Sequence, residues 1–271
     1  MPLHDRIRAR VREKDCYFAV FPENGLSVLS PMNNDVFPVS NSNTTGNKDI
    51  DDGLANMRHC TPATGDAFEF ISGNYGAQVV STANLSGQTP HHTLIFKAFV
   101  TDLTSIEEYP YIYRVGIIFS GGTSYLNHAN FTCLIELDGQ FNSFGIKSYA
   151  TFQNADEFAQ QSSSATRCVG AVHKDYPRAD LSGSWLTVAA TVDYETKTHS
   201  IYFNGELVNS TIRESWTDDR NMFSYKSPSE AFSIGHKYAG KELYDIYSKI
   251  AWGACFSSAL SPEEIKYLSE E

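Results

Sequence analysis

The chain has 271 residues, with 21 Lys and Arg against 32 Asp and Glu, a formal net charge of −11. Hydrophobic residues make up 41% and aromatic residues 13%, too much apolar content for a disordered chain. The acidic balance excludes a phosphate-neutralising nucleic-acid face, and no run of about 18 apolar residues predicts membrane insertion.

Residues 1–15 form an arm. Arg6, Arg8, Arg10, Arg12 and Lys14 face Asp5, Glu13 and Asp15 there. Leu3, Ile7 and Val11 recur every four residues, which predicts a short amphipathic helix. The arm either docks on a partner or a sister copy in a homo-oligomer, or serves as a solvated lead-in. It lacks the apolar stretch of a signal peptide.

From residue 16 onward short apolar runs alternate with turn chemistry. They predict strands over 17–21, 67–71, 78–81, 93–100, 111–119, 131–137, 140–149, 166–173, 185–193, 199–203, 231–234 and 250–256. Residues 38–62 are polar, Asn/Asp-rich and aperiodic, and read as a loop or insertion. Asp138-Gly139 and Asn204-Gly205 are hairpin signals, because a type I′ turn needs positive φ at both central positions. A dozen strands with no long helix between them predict one antiparallel all-β sandwich over 16–271. Ser261, Pro262 and Glu264 supply an N-cap, a first-turn proline and a capping box for one short C-terminal helix. Ile265 and Leu268 would pin it to the sandwich.

The five cysteines, Cys16, Cys60, Cys133, Cys168 and Cys255, form no CxxC pair. An odd number cannot all pair within the chain. Cys133 and Cys255, inside apolar runs, read as buried thiols. A Cys16–Cys60 disulfide stays open.

Residues 183–193 (GSWLTVAATVD) and 200–208 (SIYFNGELV) resemble the laminin G-like, concanavalin A-like lectin and glucanase superfamily. The resemblance rests on Trp185, Val188, Ala189, Asp193, Tyr202, Phe203, Asn204, Gly205 and Glu206. Phe232 to Gly235, Ala259 to Ile265 and Ala67 to Phe70 extend it over roughly 65–269. Ser248, Ala251 and Ser258 depart from the Gly, acidic residue and Arg often found there. The resemblance implies a jelly-roll sandwich. It leaves the ligand open, since that fold serves lectins, adhesion modules, glycosidases, lyases and virion proteins.

Glu136 and Asp138 lie two apart on one strand face, as in the glycosidase strands of that superfamily. Gln140 or Phe141 stands where the last Glu would act as general acid, so the pair reads as a solvent-facing one at a hairpin. Gly235 to Lys241 matches GxxxxGK, but Glu242 replaces the Ser or Thr that would hold Mg²⁺. It reads as a strand-to-loop connection. Leu243, Ile246, Tyr247 and Ile250 fit a helical stripe. Asp49, Asp51 and Asp52 alternate oxygen ligands as calcium loops do. A structural calcium is the one cofactor they suggest, against a plain acidic loop.

The remaining polar loops concentrate aromatic and hydrogen-bonding residues. One holds Tyr125, Asn127 and His128, a second Asp156 and Glu157, a third Trp216, Asp218, Asp219, Arg220, Phe223 and Tyr225. An aromatic platform beside Asp, Asn or Arg suits a sugar ring. Alternatively Trp216 and Phe223 anchor their own loop. Asn43, Asn84, Asn130 and Asn209 lie in Asn-x-Ser/Thr sequons.

These features favour a non-catalytic binding or adhesion module for a glycan or protein surface. A structural or receptor-binding virion or phage protein is the alternative, because the fold works outside cells yet export signals and a disulfide framework are lacking. A glycoside hydrolase or polysaccharide lyase is the third reading. Either of the first two places the chain outside cells or on a virion surface.

Overall fold

The computed structural model describes residues 16–21, 27–30, 35–38, 58–59, 68–71, 74–81, 91–101, 112–121, 129–138, 143–152, 168–193, 195–212, 230–239, 247–256 and 258–270, some of them by backbone pairing alone. The arm, most of 38–62 and the polar loops lie outside them.

The strands are β1 (Cys16–Phe21), β2 (Ser27–Ser30), β3 (Asp35–Pro38), β4 (Arg58–His59), β5 (Phe68–Ile71), β6 (Asn74–Ser81), β7 (His92–Val100), β8 (Ile112–Gly121), β9 (Ala129–Asp138), β10 (Ser143–Phe152), β11 (Cys168–Asp175), β12 (Trp185–Asp193), β13 (Thr198–Phe203), β14 (Glu206–Ile212), β15 (Glu230–Ala239) and β16 (Tyr247–Phe256). Two short helices are described, α1 (Arg178–Leu181) and α2 (Pro262–Ser269). No helix among the described residues is long and apolar enough to cross a membrane.

All twelve predicted strands are present, and they build an antiparallel all-β sandwich. One sheet has ten strands, with main order β14-β13-β12-β7-β16-β1-β2-β3 and β5 and β4 attached beside β16. The other has six, in the order β11-β10-β9-β8-β15-β6. Strands β2, β3, β4 and β14 and helix α1 were not expected from the sequence. Three of these strands have only two to four residues, too few to show a period. Strand β14 is mostly exposed, so it lacks the alternation that burial imposes on one face.

The core lies between the sheets. Phe96 and Leu94 of β7, Val188 and Ala190 of β12, and Ile201 of β13 meet Phe131, Cys133 and Ile135 of β9 and Ile146 of β10, all nearly solvent-free. Burying each large side chain contributes about 1.5–3 kcal/mol. A methyl group on Gly253 of β16 would come within 2.5 Å of Ile234 Cδ1 and 3.0 Å of Ile117 Cδ1, so a hydrogen there lets the opposite sheet approach. Cys133 and Cys255 are free and buried, as expected, and burial pushes the Cys133 thiol well above its ordinary range.

Both faces of β12 are covered. Its side chains alternate between the two faces, yet Thr187, Ala189 and Thr191 are buried, as are Leu186, Val188 and Val192. The reason is α2. Ala189 belongs to a second apolar cluster with Ile95, Tyr202, Trp252, Ala254 and Phe256, closed by Leu260, Ile265 and Leu268. The helix starts as its residues dictate. Ser261 Oγ accepts from the Glu264 amide at 3.2 Å, and Glu264 Oε2 accepts from the Ser261 amide at 2.8 Å. Its approach is pinned by Thr93, whose hydroxyl donates to Ser258 O at 2.7 Å and accepts from the Leu260 amide at 2.9 Å.

Four local expectations need correction. The Asn204-Gly205 hairpin has the predicted two-residue turn, with φ of 48° and 84°. Asp138-Gly139 does not: Asp138 is still paired, with Ser143, so that connection has four residues. Gly235 is paired with Gly116 and Gly76 in mid-strand, so its glycine-rich run is sheet rather than connection up to Ala239. Tyr247 and Ile250 lie on β16 rather than on a helix. Asn74 begins β6, four residues ahead of the predicted strand start at 78.

Candidate functional site

The sheet register decides which loops share an end of the sandwich. On the six-stranded sheet Gly121 pairs with Glu230 and Glu230 with Ser81. Ser120 pairs with Ala129, Ala150 with Phe131 and Phe152 with Cys168. The strand ends that flank segments 122–128 and 153–167 therefore all lie at one pole, with the end of β6 and the start of β15. On the ten-stranded sheet His92 pairs with Val192, Asp193 with Thr198 and Thr198 with Ile212. These ends belong to the same pole. His199 stacks edge-on to Phe131 at 6.1 Å between centroids, and its Nε2 is 2.7 Å from Ser148 Oγ. Segment 213–229 leaves Ile212 and re-enters at Glu230, so it too is rooted there.

All three loops singled out in the sequence thus spring from one pole. Trp216, Asp218, Asp219, Arg220, Tyr225, Tyr125, Asn127 and His128 themselves lie outside the described residues, as do Asp49, Asp51, Asp52, Asp156 and Glu157. What the structure supplies is the common root.

The described floor of this pole is polar. His91 Nδ1 lies 3.1 Å from Asp193 Oδ1, and its Nε2 lies 3.8 Å from Glu195 Oε1. The same Asp193 oxygen accepts from the Glu195 and Thr196 amides at 3.0 and 3.2 Å. This arrangement closes the β12–β13 turn. Adjacent residues on a strand direct their side chains to opposite faces. The structure agrees: His92 pairs into the ladder and is buried, and His91 meets the turn.

Glu136 occupies a different place. It is on β9, on the face of the six-stranded sheet turned away from the core, towards the opposite pole. The expectation of a solvent-facing carboxylate is wrong, since Glu136 is 1% exposed. Lys147 Nζ lies 3.1 Å from Glu136 Oε1, and Tyr149 Oη donates to the same oxygen at 3.3 Å. Gly145, directly opposite Glu136, has no side chain, and a methyl there would meet Lys174 O at 2.2 Å. The carboxylate is therefore reached from further along β10. Among the described residues no group of three or more His, Cys, Asp or Glu is placed to hold a metal ion.

Asn209, in a sequon, is also engaged. Its Nδ2 donates to His173 O at 2.7 Å and ties β14 to β11 across the two sheets. No spacing in the sequence announces this clasp, because the partners are distant in the chain.

No family model matches the chain, and no curated protein matches its sequence. Solved structures share its fold. The botulinum neurotoxin serotype D ligand binding domain, solved with N-acetylneuraminic acid, superposes with a TM-score of 0.60 at 15% identity, over 94% of this chain and 50% of that one. The serotype G binding domain gives 0.58 at 13% identity, over 94% and 50%. The binding domain of botulinum neurotoxin DC, solved with rat synaptotagmin II, gives 0.55 at 13% identity, over 94% and 51%. This chain spans about half the length of these domains, and at such identity the likeness establishes the fold alone.

Proposed function

We propose that this chain is a non-catalytic binding module, that its ligand is a glycan or a protein surface, and that the loops of the shared pole hold it. The observation that carries the reading is the common root of segments 122–128, 153–167 and 213–229 on one end of a rigid sandwich. Loops on a fixed scaffold are where binding residues concentrate. The fold likeness to toxin binding domains, one solved with a sugar and one with a protein receptor, supports the same class. Within it, Trp216 and Tyr125 would offer aromatic platforms, with Asp218, Asp219, Arg220, Tyr225, Asn127 and His128 as hydrogen-bonding partners. Hydrolysis finds less support. A glycosidase carboxylate must reach substrate, whereas the Glu136 oxygen is buried and held by Lys147 and Tyr149.

The test is a glycan array probed with the full chain and with Trp216→Ala. Binding to a defined sugar class that falls at least tenfold in the variant is expected if the ligand is a glycan. Binding unchanged in Trp216→Ala would overturn the site. Polysaccharide digestion by the wild type that is lost in Glu136→Gln would overturn the non-catalytic reading.

A further inference from the structure

Strand β14 ends the ten-stranded sheet, and its second edge is open. Among the described residues no backbone group outside β13 bonds to it. The two-residue turn at Asn204-Gly205 makes Phe203 and Glu206 a hydrogen-bonded pair, because the carbonyl of the first turn position accepts from the amide of the fourth. Bonded and non-bonded pairs alternate along an antiparallel ladder. Tyr202–Leu207, Ser200–Ser210 and Thr198–Ile212 are therefore non-bonded pairs, and the backbone N–H and C=O groups of Leu207, Ser210 and Ile212 point away from β13. The Ser210 amide agrees, since it donates to Asn209 Oδ1 at 2.8 Å.

Open edges are commonly blunted by charged side chains. The neighbouring edge strand β11 carries exposed Lys174 and Asp175, but residues 207–212 of β14 carry no charge. Leu207 is 51% exposed and Ile212 63%, two of the three exposed large apolar side chains among the described residues. The register slip between Ile201 and Tyr202 leaves Val208 as an extra residue. Leu207, Ser210 and Ile212 consequently oppose alternate residues of β13 and share one face. They are evenly spaced along the ladder, with Ser210 in the middle.

We infer that this edge pairs with β14 of a second copy of the chain, antiparallel across a two-fold axis at Ser210. In that register Leu207 of each copy lies opposite Ile212 of the other, Ser210 opposite Ser210, and Asn209 opposite Thr211. The outward groups of Leu207, Ser210 and Ile212 then bond reciprocally, and each Ser210 amide exchanges Asn209 Oδ1 for the other copy's Ser210 carbonyl. Charge complementarity selects this occupant. Glu206 and Arg213 stand one place outside the match in the sequence, so the register sets opposite charges across from each other. Two copies of net charge −11 thereby meet with no like charges opposed along the paired strands. Such an isologous contact closes as a dimer and joins the two ten-stranded sheets edge to edge. Because the paired strands run antiparallel, the loop-bearing poles point opposite ways.

Sedimentation velocity of the full chain over a range of concentrations tests this. The wild type should show a reversible monomer–dimer equilibrium. Leu207→Lys combined with Ile212→Lys opposes like charges at both outer pairs and should weaken dimerisation by about tenfold or more. Leu207→Lys combined with Ile212→Glu opposes unlike charges there and should recover it. A wild type that stays monomeric throughout, a dimer indifferent to the double lysine variant, or one that the Lys and Glu combination does not recover sinks the inference. Should either variant fail to fold, amide hydrogen exchange of the wild type decides. The Leu207 and Ile212 amides should gain protection as concentration rises, and equal exchange in dilute and concentrated protein rules the pairing out.

Discussion

On the ten-stranded sheet, the face turned from the core carries Ile95, Ala189, Tyr202, Trp252, Ala254 and Phe256, and α2 lies across it with Ile265 and Leu268. On the six-stranded sheet, the corresponding face carries Thr132, Leu134, Glu136, Lys147 and Tyr149. Both faces exclude water around their central residues; Thr132, Leu134 and Glu136 are each at most 3% exposed. The chemistry differs. The first gains from area removed from water, a non-directional term roughly proportional to that area. The second holds a carboxylate and an ammonium in contact with each other, and removing one takes away a charge partner of the other inside a buried setting. A side chain on the first face is replaceable at a graded cost, while on the second the cost of replacing one charged group depends on whether its partner is replaced with it.

The largest effect is expected on the helix-covered face. Trp252→Ala should cost about 3–5 kcal/mol in urea unfolding, the range for truncating a large buried aromatic. A loss under about 1 kcal/mol would show that this cluster is not core.

The polar face should respond non-additively. Lys147→Met should cost about 3 kcal/mol, at the low end for breaking a buried pair because Lys147 keeps 12% exposure. Adding Glu136→Leu to it should recover most of that loss. A double variant as unstable as the sum of its two single ones would end the contrast between the faces.

Smaller effects probe the attachment of α2. Gly205 is buried under the helix with φ 84°, and a methyl there would come within 3.0 Å of Lys266 Cα. Gly205→Ala should therefore cost about 1–3 kcal/mol through backbone strain. Ser261→Ala should cost about 1 kcal/mol by removing the helix cap. Lys266→Ala should leave the unfolding midpoint unchanged. Its 3.0 Å bond to Glu206 raises the Lys266 pKa, but both groups are in water, where such pairs contribute little.

The strands that pack on both sides were legible because their residues repeat a strong local preference. The run from Trp185 to Asp193 is a strand at its predicted bounds. Turn and cap chemistry was equally readable where one geometry admits few residues, as at Asn204-Gly205 and Ser261 to Glu264. Edge strand β14 was missed because exposure leaves no pattern. The status of Glu136 was misread because Lys147 and Tyr149, which hold its carboxylate, come from β10, across a hairpin whose length the Asp138-Gly139 pair did not reveal.

Residue order by itself therefore determined the class of fold, most strand positions, the α2 boundary and the loops rich in aromatic and polar groups. These depend on the period of apolar residues and on backbone preferences within a few residues. Tertiary structure alone decided which face each residue serves and which loops share a pole. Strand β16 shows why. Its register slips between Ile250 and Trp252, so Ala251 is an extra residue and the side-chain alternation reverses. Ile250 then enters the inter-sheet core opposite Ala98, and Trp252 turns to the helix side opposite Lys97. Such a slip is chosen by the packing of two distant surfaces, as is the meeting of His199 with Ser148.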